Sequence, residues 1–220
     1  MEGFRAKILE AYKENLCLKP EQRHLMIGML LGDGYMRLPG RSHHANLTVE
    51  HGEKEKEYLE WKYEQLKEWV LTPPRSVSRI YYKDRSRVLV SWRFSTVTHS
   101  KLTYYHKLFY RDRKKKVPEE INRLFTHPLS LAVWLMDDGN RNKEVLFLST
   151  QNFILEEQER LRSCLWENFG VDSTINFHSN GKGRRLYRIR LTRKGTAKAC
   201  KLVDPYIIPL LKYKLPVIPL

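Results

Sequence analysis

Cysteine is scarce in this chain. Its 220 residues include three, Cys17, Cys164 and Cys200. An odd number at wide spacing excludes a disulfide framework, and none of the close pairs of a zinc site is present. They read as reduced thiols of an intracellular protein. Long apolar runs are lacking: none approaches the roughly 20 residues that span a bilayer. No signal-peptide pattern is visible at the start of the sequence. No transit peptide is visible either, so mitochondrion, chloroplast and prokaryotic cytoplasm are not told apart. Low-complexity segments are missing. Acidic residues are in deficit, 25 against 40 Lys and Arg, giving a net charge of +15 and a pI of about 9.7. This balance suggests a polyanionic partner, with nucleic acid the first candidate and a membrane surface the second. The membrane reading lacks its usual carrier, a long basic amphipathic helix with an exposed apolar face. A hydrophobic content of 41% supports a globular fold. The length suits one large domain or two small ones that share a core.

Two stretches organise what is there. The first is Met26-Ile27-Gly28-Met29-Leu30-Leu31-Gly32-Asp33-Gly34, and the second is Leu131-Ala132-Val133-Trp134-Leu135-Met136-Asp137-Asp138-Gly139. Each is an apolar helical run closed by an acid and a glycine. Burying an acid is costly, so an Asp that ends such a run calls for a reason. The glycine suits a helix C-cap. A single copy would read as an ordinary capped core helix. Two copies with the acid at matched positions weaken that reading. The small residues Gly28, Gly32 and Ala132 let two such helices pack backbone to backbone, bringing Asp33 and Asp138 to one end.

The rest of the chain repeats around them. A short amphipathic helix is expected over Phe4–Asn15, and the first motif helix starts at Pro20, a residue suited to a first turn. Tyr35–Leu38 and Asn46–His51 read as a hairpin around Pro39 and Gly40. Glu53–Leu71 reads as a helix stopped by Pro73-Pro74. Arg79–Lys83 and Val88–Phe94 flank a turn expected at Asp84-Arg85-Ser86, with Arg87, Leu89, Ser91 and Arg93 on one face and Val88, Val90, Trp92 and Phe94 on the other. Lys101–Arg111 reads as a helix running into Lys114-Lys115-Lys116. In the second half the motif helix spans Pro128–Asp138, followed by a strand over Val145–Thr150 and a helix over Glu156–Asn168 ended by Gly170. A hairpin of Thr174–His178 and Leu186–Arg193 turns at Asn180-Gly181-Lys182-Gly183, and a final helix follows. The fold class expected is α+β, an internal duplication of two pseudo-twofold halves, 1–122 and 123–220, joined near Asn122–His127.

Antiparallel hairpins that are apolar on one face and basic on the other suit a DNA-reading sheet, because a two-stranded ribbon fits the major groove, about 12 Å wide. The residues expected to meet DNA are Arg37, Arg41, Arg79, Tyr81, Lys83, Arg87, Arg93, Lys116, Arg141, Lys182, Arg184, Arg188 and Arg190. A solvated sheet face is the plainer reading of one hairpin. Two hairpins with a +15 charge favour DNA. Carboxylates facing a DNA backbone repel it unless divalent cations lie between, which argues that Asp33 and Asp138 are metal ligands. Mg²⁺ binds through one or two carboxylates, waters and substrate phosphate. Lys115 or Lys116 in one half and Lys214 in the other are candidates to tune the attacking water or steady the leaving group. Plain phosphate binding is the other reading of the Lys114–Lys116 run.

The paired motifs resemble those of the LAGLIDADG homing endonucleases. Trp69–Pro74, Thr150-Gln151-Asn152-Phe153, Pro205–Pro209 and Tyr213-Lys214-Leu215-Pro216 are similar to the single-chain, mitochondrial-intron type, over about Leu25–Pro216. The resemblance implies a monomer of two αββαββα halves with a saddle-shaped sheet surface. It implies a Mg²⁺-dependent double-strand cut in a long DNA target, leaving 3′ overhangs, with Mn²⁺ able to substitute. On it Asp33 and Asp138 are catalytic, Gly32 and Asp137 lend carbonyls to the metals, and Lys115, Lys214 and Gln151 lie close to the reacting centre. The counterpart of Gln151 is His51, a departure that leaves the first-half role open between function and a sheet-edge residue. An intron-RNA maturase or a DNA-binding regulator on the same fold is the alternative, with RNA as a further partner. Retention of both acids favours the enzyme.

Overall fold

A computed structural model describes residues 2–40, 42–179 and 185–216. Helices α1 (Glu2–Glu14) and α2 (Pro20–Leu31) lead into strands β1 (Tyr35–Arg37) and β2 (Asn46–Gly52). Helix α3 (Lys56–Gln65) follows, then β3 (Arg75–Tyr81), β4 (Asp84–Ser95) and α4 (Ser100–Phe109). A small hairpin of β5 (Tyr110–Arg111) and β6 (Lys114–Lys115) precedes α5 (Ile121–Leu124) and α6 (Pro128–Asp138). The chain ends through β7 (Gly139–Asn142), β8 (Val145–Leu148), α7 (Leu155–Phe169), β9 (Ser173–Ser179), β10 (Arg185–Leu191) and α8 (Arg193–Val203). Two compact units result. One comprises Met1–Arg23 with Gly34–His106, the other His24–Asp33 with Lys107–Leu220.

The duplication is written in the strand order. The first unit holds a four-stranded antiparallel sheet ordered β1-β2-β4-β3, and the second holds one ordered β7-β8-β10-β9. In both, the strand after the motif Asp lies at the edge and the long downstream hairpin completes the sheet. The α+β class expected from the repeat is the class observed.

In the first unit, α3 covers the inner sheet face. Tyr58, Leu59, Leu66 and Trp69 are buried together with Leu47, Val49 and Phe94. The helix is shorter than its apolar pattern suggests, ending at Gln65 and continuing as a single 3-10 turn over Lys67–Trp69. The β3–β4 turn falls at Tyr82-Lys83, two residues earlier than the Asp84-Arg85-Ser86 expectation, because Asp84 already pairs with Tyr81 across a bulge at Ile80/Tyr81. This hairpin outruns its helix. Ile80, Val88 and Val90 are exposed while Phe94 is buried, so its apolar face packs only at the base.

In the second unit, α6 is the centre of the core, with Leu131 to Met136 all buried. His127 caps it, Nδ1 accepting from Leu129 N–H at 3.2 Å, and Pro128 opens it. Helix α7 ends at Gly170, whose φ of 63° is the left-handed C-cap geometry that glycine adopts freely. The expected helix over Lys101–Arg111 stops two residues early. Asp112 and Arg113 adopt φ of 49° and 62°, a tight turn that folds Lys114-Lys115 back on Tyr110-Arg111.

A candidate two-acid active site and a basic sheet face

The acids come together because two glycines remove the side chains between the helices. A Cβ on Gly28 would lie 2.5 Å from the Ser130 carbonyl oxygen and 2.7 Å from Val133 Cβ. A Cβ on Gly32 would lie 2.5 Å from Asp137 Cβ. The part of α2 from His24 onward and α6 therefore run side by side in one direction, backbone against backbone. Ser130 Oγ donates to the His24 carbonyl at 2.7 Å at one end. Asp33 N–H donates to Asp137 Oδ2 at 3.1 Å at the other. Gly139 departs from the cap expectation. Its φ is −73°, an extended conformation, and a Cβ there would meet the Leu135 carbonyl oxygen at 2.3 Å. It is small so that the chain can leave the helix closely, not to turn left-handed.

Three carboxylates now share one end of a helix pair. Asp33 is exposed, whereas Asp137 and Asp138 are half-buried. The Asp138 carboxyl is pushed up to about 7, first by burial and then by the charges of Asp33 and Asp137, with Lys115 and Lys214 pulling the other way. The two lysines arrive from separate elements. Lys115, on β6, donates to the Gly32 carbonyl at 2.6 Å. Lys214, in the 3-10 turn Pro209–Lys214, donates to the Met136 carbonyl and, at 3.2 Å, to that of Asp137. Asp33, Asp137, Asp138, Lys115, Lys214 and Gly32 thus form one cluster, all within the second unit.

A cleft opens over this cluster, lined by Asp33, Asp138, Arg111, Lys114, Lys115, Lys116, Ser149 and Asn152, with Leu31, Phe153 and Ile154 as its apolar part. Gln151 is half-buried and does not line it, while its neighbour Asn152 does. Arg111, Ser149 and Asn152 carried no signal in the sequence beyond their nearness to marked residues. His51 lies in the other unit. It sits on the inner face of β2, buried, with Nε2 3.0 Å from Lys62 Nζ and Nδ1 3.2 Å from Glu55 Oε2. It belongs to a buried polar network that includes the fully buried Lys62, not to a sheet edge.

The outer face of the first sheet is basic. Strand register puts Arg37, Arg75, Arg79 and Arg93 on it, and Arg75 stands directly opposite Arg93. Arg75 was not marked in the sequence because the preceding Pro73-Pro74 obscures the strand start. Arg87 stacks over Tyr81 at 5.6 Å, and Lys83 lies 5.5 Å from the Tyr82 ring in the turn. In the second sheet Arg190 faces Phe147 and Arg188 faces Asn176 across the strands. The Arg188 guanidinium lies 4.1 Å from the Phe147 ring centroid. Arg141 falls on the opposite face, paired with the buried Leu146, and donates to the Leu215 carbonyl at 3.4 Å. Arg41, Lys182 and Arg184, together with the Asn180–Gly183 turn, lie outside the described residues.

Comparison with known proteins decides the family. The model of the LAGLIDADG DNA endonuclease family matches residues 23–198. The chain belongs to this family. The "Probable intron-encoded endonuclease 1" of Wickerhamomyces canadensis is 33% identical over 97% of this chain and 92% of its own length. The "Cytochrome b mRNA maturase bI2" of Debaryomyces hansenii is 34% identical over 64% of this chain, which spans about half of that relative's length. Among solved structures, the homing endonuclease I-WcaI bound to its DNA recognition sequence superposes with a TM-score of 0.86 at 29% identity, covering 97% of this chain and 94% of that one. The matched span includes both apolar helical stretches, those followed by Asp33 and ending in Asp138. No helix among the described residues is long and apolar enough to cross a membrane.

Proposed function

We propose that this LAGLIDADG protein is a site-specific homing endonuclease that makes a staggered double-strand cut, leaving 3′ overhangs in a long duplex target. The observation that carries this reading is the meeting of Asp33 and Asp138, with a lysine on each side, at the end of one helix pair. Asp33 and Asp138 each serve one strand. The basic faces of both sheets hold the duplex, and the +15 charge supports binding to a polyanion.

The donor set fits a divalent cation completed by its substrate. Among the described residues no three His, Cys, Asp or Glu side chains converge as a metal cage. Two carboxylates with phosphate oxygens and waters are what Mg²⁺ takes, and Mn²⁺ fits the same oxygen set. The elevated Asp138 carboxyl supports this, since a cation would relieve three neighbouring acids. Asp33 and Asp138 would hold it. The Gly32 and Asp137 carbonyls would join them once Lys115 and Lys214 release those oxygens. When bound, the metal supplies charge neutralisation at the phosphate and an activated water. Lys115 and Lys214 then stand beside the scissile phosphates, where an ammonium group steadies the developing negative charge. Gln151 does not line the cleft, so the side chain placed to orient water from the second-half side is that of its neighbour Asn152.

A non-cleaving RNA-binding role has one observation in its favour, the identity to an mRNA maturase. Retention of both acids supports cleavage. The deciding experiment offers randomised duplex targets with Mg²⁺ and sequences the ends. Staggered cuts at one long site, absent in Asp33→Asn and in Asp138→Asn while binding persists, are expected. Cleavage by either single variant would refute the two-acid mechanism.

A further inference from the structure

A carboxylate stands in the middle of the arginine face of the first sheet. Glu50, on β2, is paired across the strands with Arg93. Ser91 Oγ donates to Glu50 Oε1 at 2.6 Å. Arg79 grips the same carboxylate with both terminal nitrogens, Nη1 to Oε1 and Nη2 to Oε2, the latter at 3.0 Å. Arg93 Nη1 is 4.0 Å from Oε2. The Arg79 hydrogen bond leads the causes that hold the Glu50 carboxyl down at about 2, so it is an anion in all working conditions.

On a surface that meets phosphates, a fixed anion weakens binding to every sequence alike. Such a group is useful there only where it discriminates. In the major groove the edges that donate to a carboxylate are amino groups, and cytosine N4 is the usual partner of Glu. Arg79 has its end-on fork taken up by Glu50. Nη1 also donates to Ser91 Oγ at 3.3 Å, which leaves Nε–H and the second Nη2 hydrogen on one flank of the guanidinium. The pair therefore offers an acceptor and a row of donors side by side. A C·G pair presents the complement, an amino donor on cytosine beside the O6 and N7 acceptors of guanine. Arg188 in the second sheet has the contrasting arrangement. Its guanidinium lies over the Phe147 ring, and its buried Nε has no hydrogen-bond partner among the described residues. That side chain is an open fork with no built-in preference against phosphate.

We propose that Glu50 and Arg79 act as one composite reader of a single C·G pair, Glu50 accepting from the cytosine amino group while Arg79 donates to the guanine. This rests on the reading of the protein as a sequence-specific DNA binder. Glu50 thereby lowers affinity for DNA in general and raises selectivity at one position.

The test is binding selection from a pool of randomised duplexes in chelator, with the wild type, Glu50→Gln and Arg79→Ala. Affinity for one fixed duplex of arbitrary sequence and a thermal melt accompany it. A C·G pair fixed at one position is expected in the wild-type consensus. Glu50→Gln should weaken that preference by about tenfold, leave the other positions unchanged and bind the arbitrary duplex more tightly. Arg79→Ala should lose the same pair. Glu50→Asp, which keeps the charge but withdraws it by one methylene, should lose the preference without the gain in general affinity, and it serves if Glu50→Gln melts early. An unchanged consensus, an even loss over all sequences, or different positions altered by the two substitutions would overturn the proposal. A wild type that selects no sequence would instead refute the DNA-recognition reading itself.

Discussion

Asp138→Asn should make the metal-free protein more stable at neutral and alkaline pH while destroying its chemistry. The Asp138 carboxyl rises from its ordinary 3.8 to about 7 in the folded chain, driven by burial and by Asp33 and Asp137. Between those two values the unfolded chain has released its proton and the folded chain has kept it. The unfolded state then binds fewer protons, so this group's contribution to stability falls as pH rises from about 4 to about 7 and levels off above. At about 1.4 kcal/mol per pH unit the displacement amounts to about 4 kcal/mol at pH 8 and nearly nothing at pH 4. Asparagine has the same shape and no charge, so the variant should match the wild type in acid and exceed it by up to about 4 kcal/mol in mild alkali. For a chain of this size that is a melting difference of about 10 °C. Thermal or urea unfolding in chelator from pH 4 to 8 reads the difference, since titrating groups away from the acid cluster cancel between the two proteins. A difference independent of pH would refute the claim that an ionised Asp138 strains the folded state. Adding Mg²⁺ above pH 7 should narrow the gap by stabilising the wild type more than the variant.

Three further outcomes follow from the same geometry. Gly28→Ala and Gly32→Ala should each lower stability by about 1–3 kcal/mol despite alanine's better helix propensity, because the new Cβ meets Ser130 and Val133 or Asp137 at 2.5–2.7 Å; a neutral melt would refute close helix packing. Asp33→Asn and Asp138→Asn should each abolish double-strand cleavage with target binding retained, measured by gel cleavage and filter binding on the selected site. Arg188→Ala should weaken binding by about 1–3 kcal/mol at one base pair if its fork reads guanine, whereas an even loss on all sequences with a shallower salt slope would assign it to phosphate.

The helices and the acids were legible because their signals are local. An apolar run of helical period closed by Asp-Gly, found twice, needs no tertiary information to mark Asp33 and Asp138, and Pro20 and Pro128 fix both helix starts. The repeat of strand order follows from the repeat of pattern. Hairpin faces follow from alternation, which is why Leu89, Ser91 and Arg93 fall together on the face expected. At Arg141 no strand was legible, and one position of register in the short edge strand β7 decides its side.

What the sequence by itself determined is therefore the inventory: a duplicated α+β chain, two terminal acids, an excess of cations and the strands that carry them. Tertiary structure alone decided which groups meet. Lys115 reaches Gly32 because two non-glycine residues accept positive φ in a turn that no Asn-Gly or Asp-Gly pair announces. Lys214 reaches Met136 and Asp137 across 78 and 77 residues of chain. Glu50 meets Arg79 only through the pairing of three strands, and His51 turns inward to Lys62 instead of outward to a ligand. Local pattern fixes a residue's element and face, whereas charges and hydrogen bonds act between residues distant in sequence, so their partners exist only once the chain has folded.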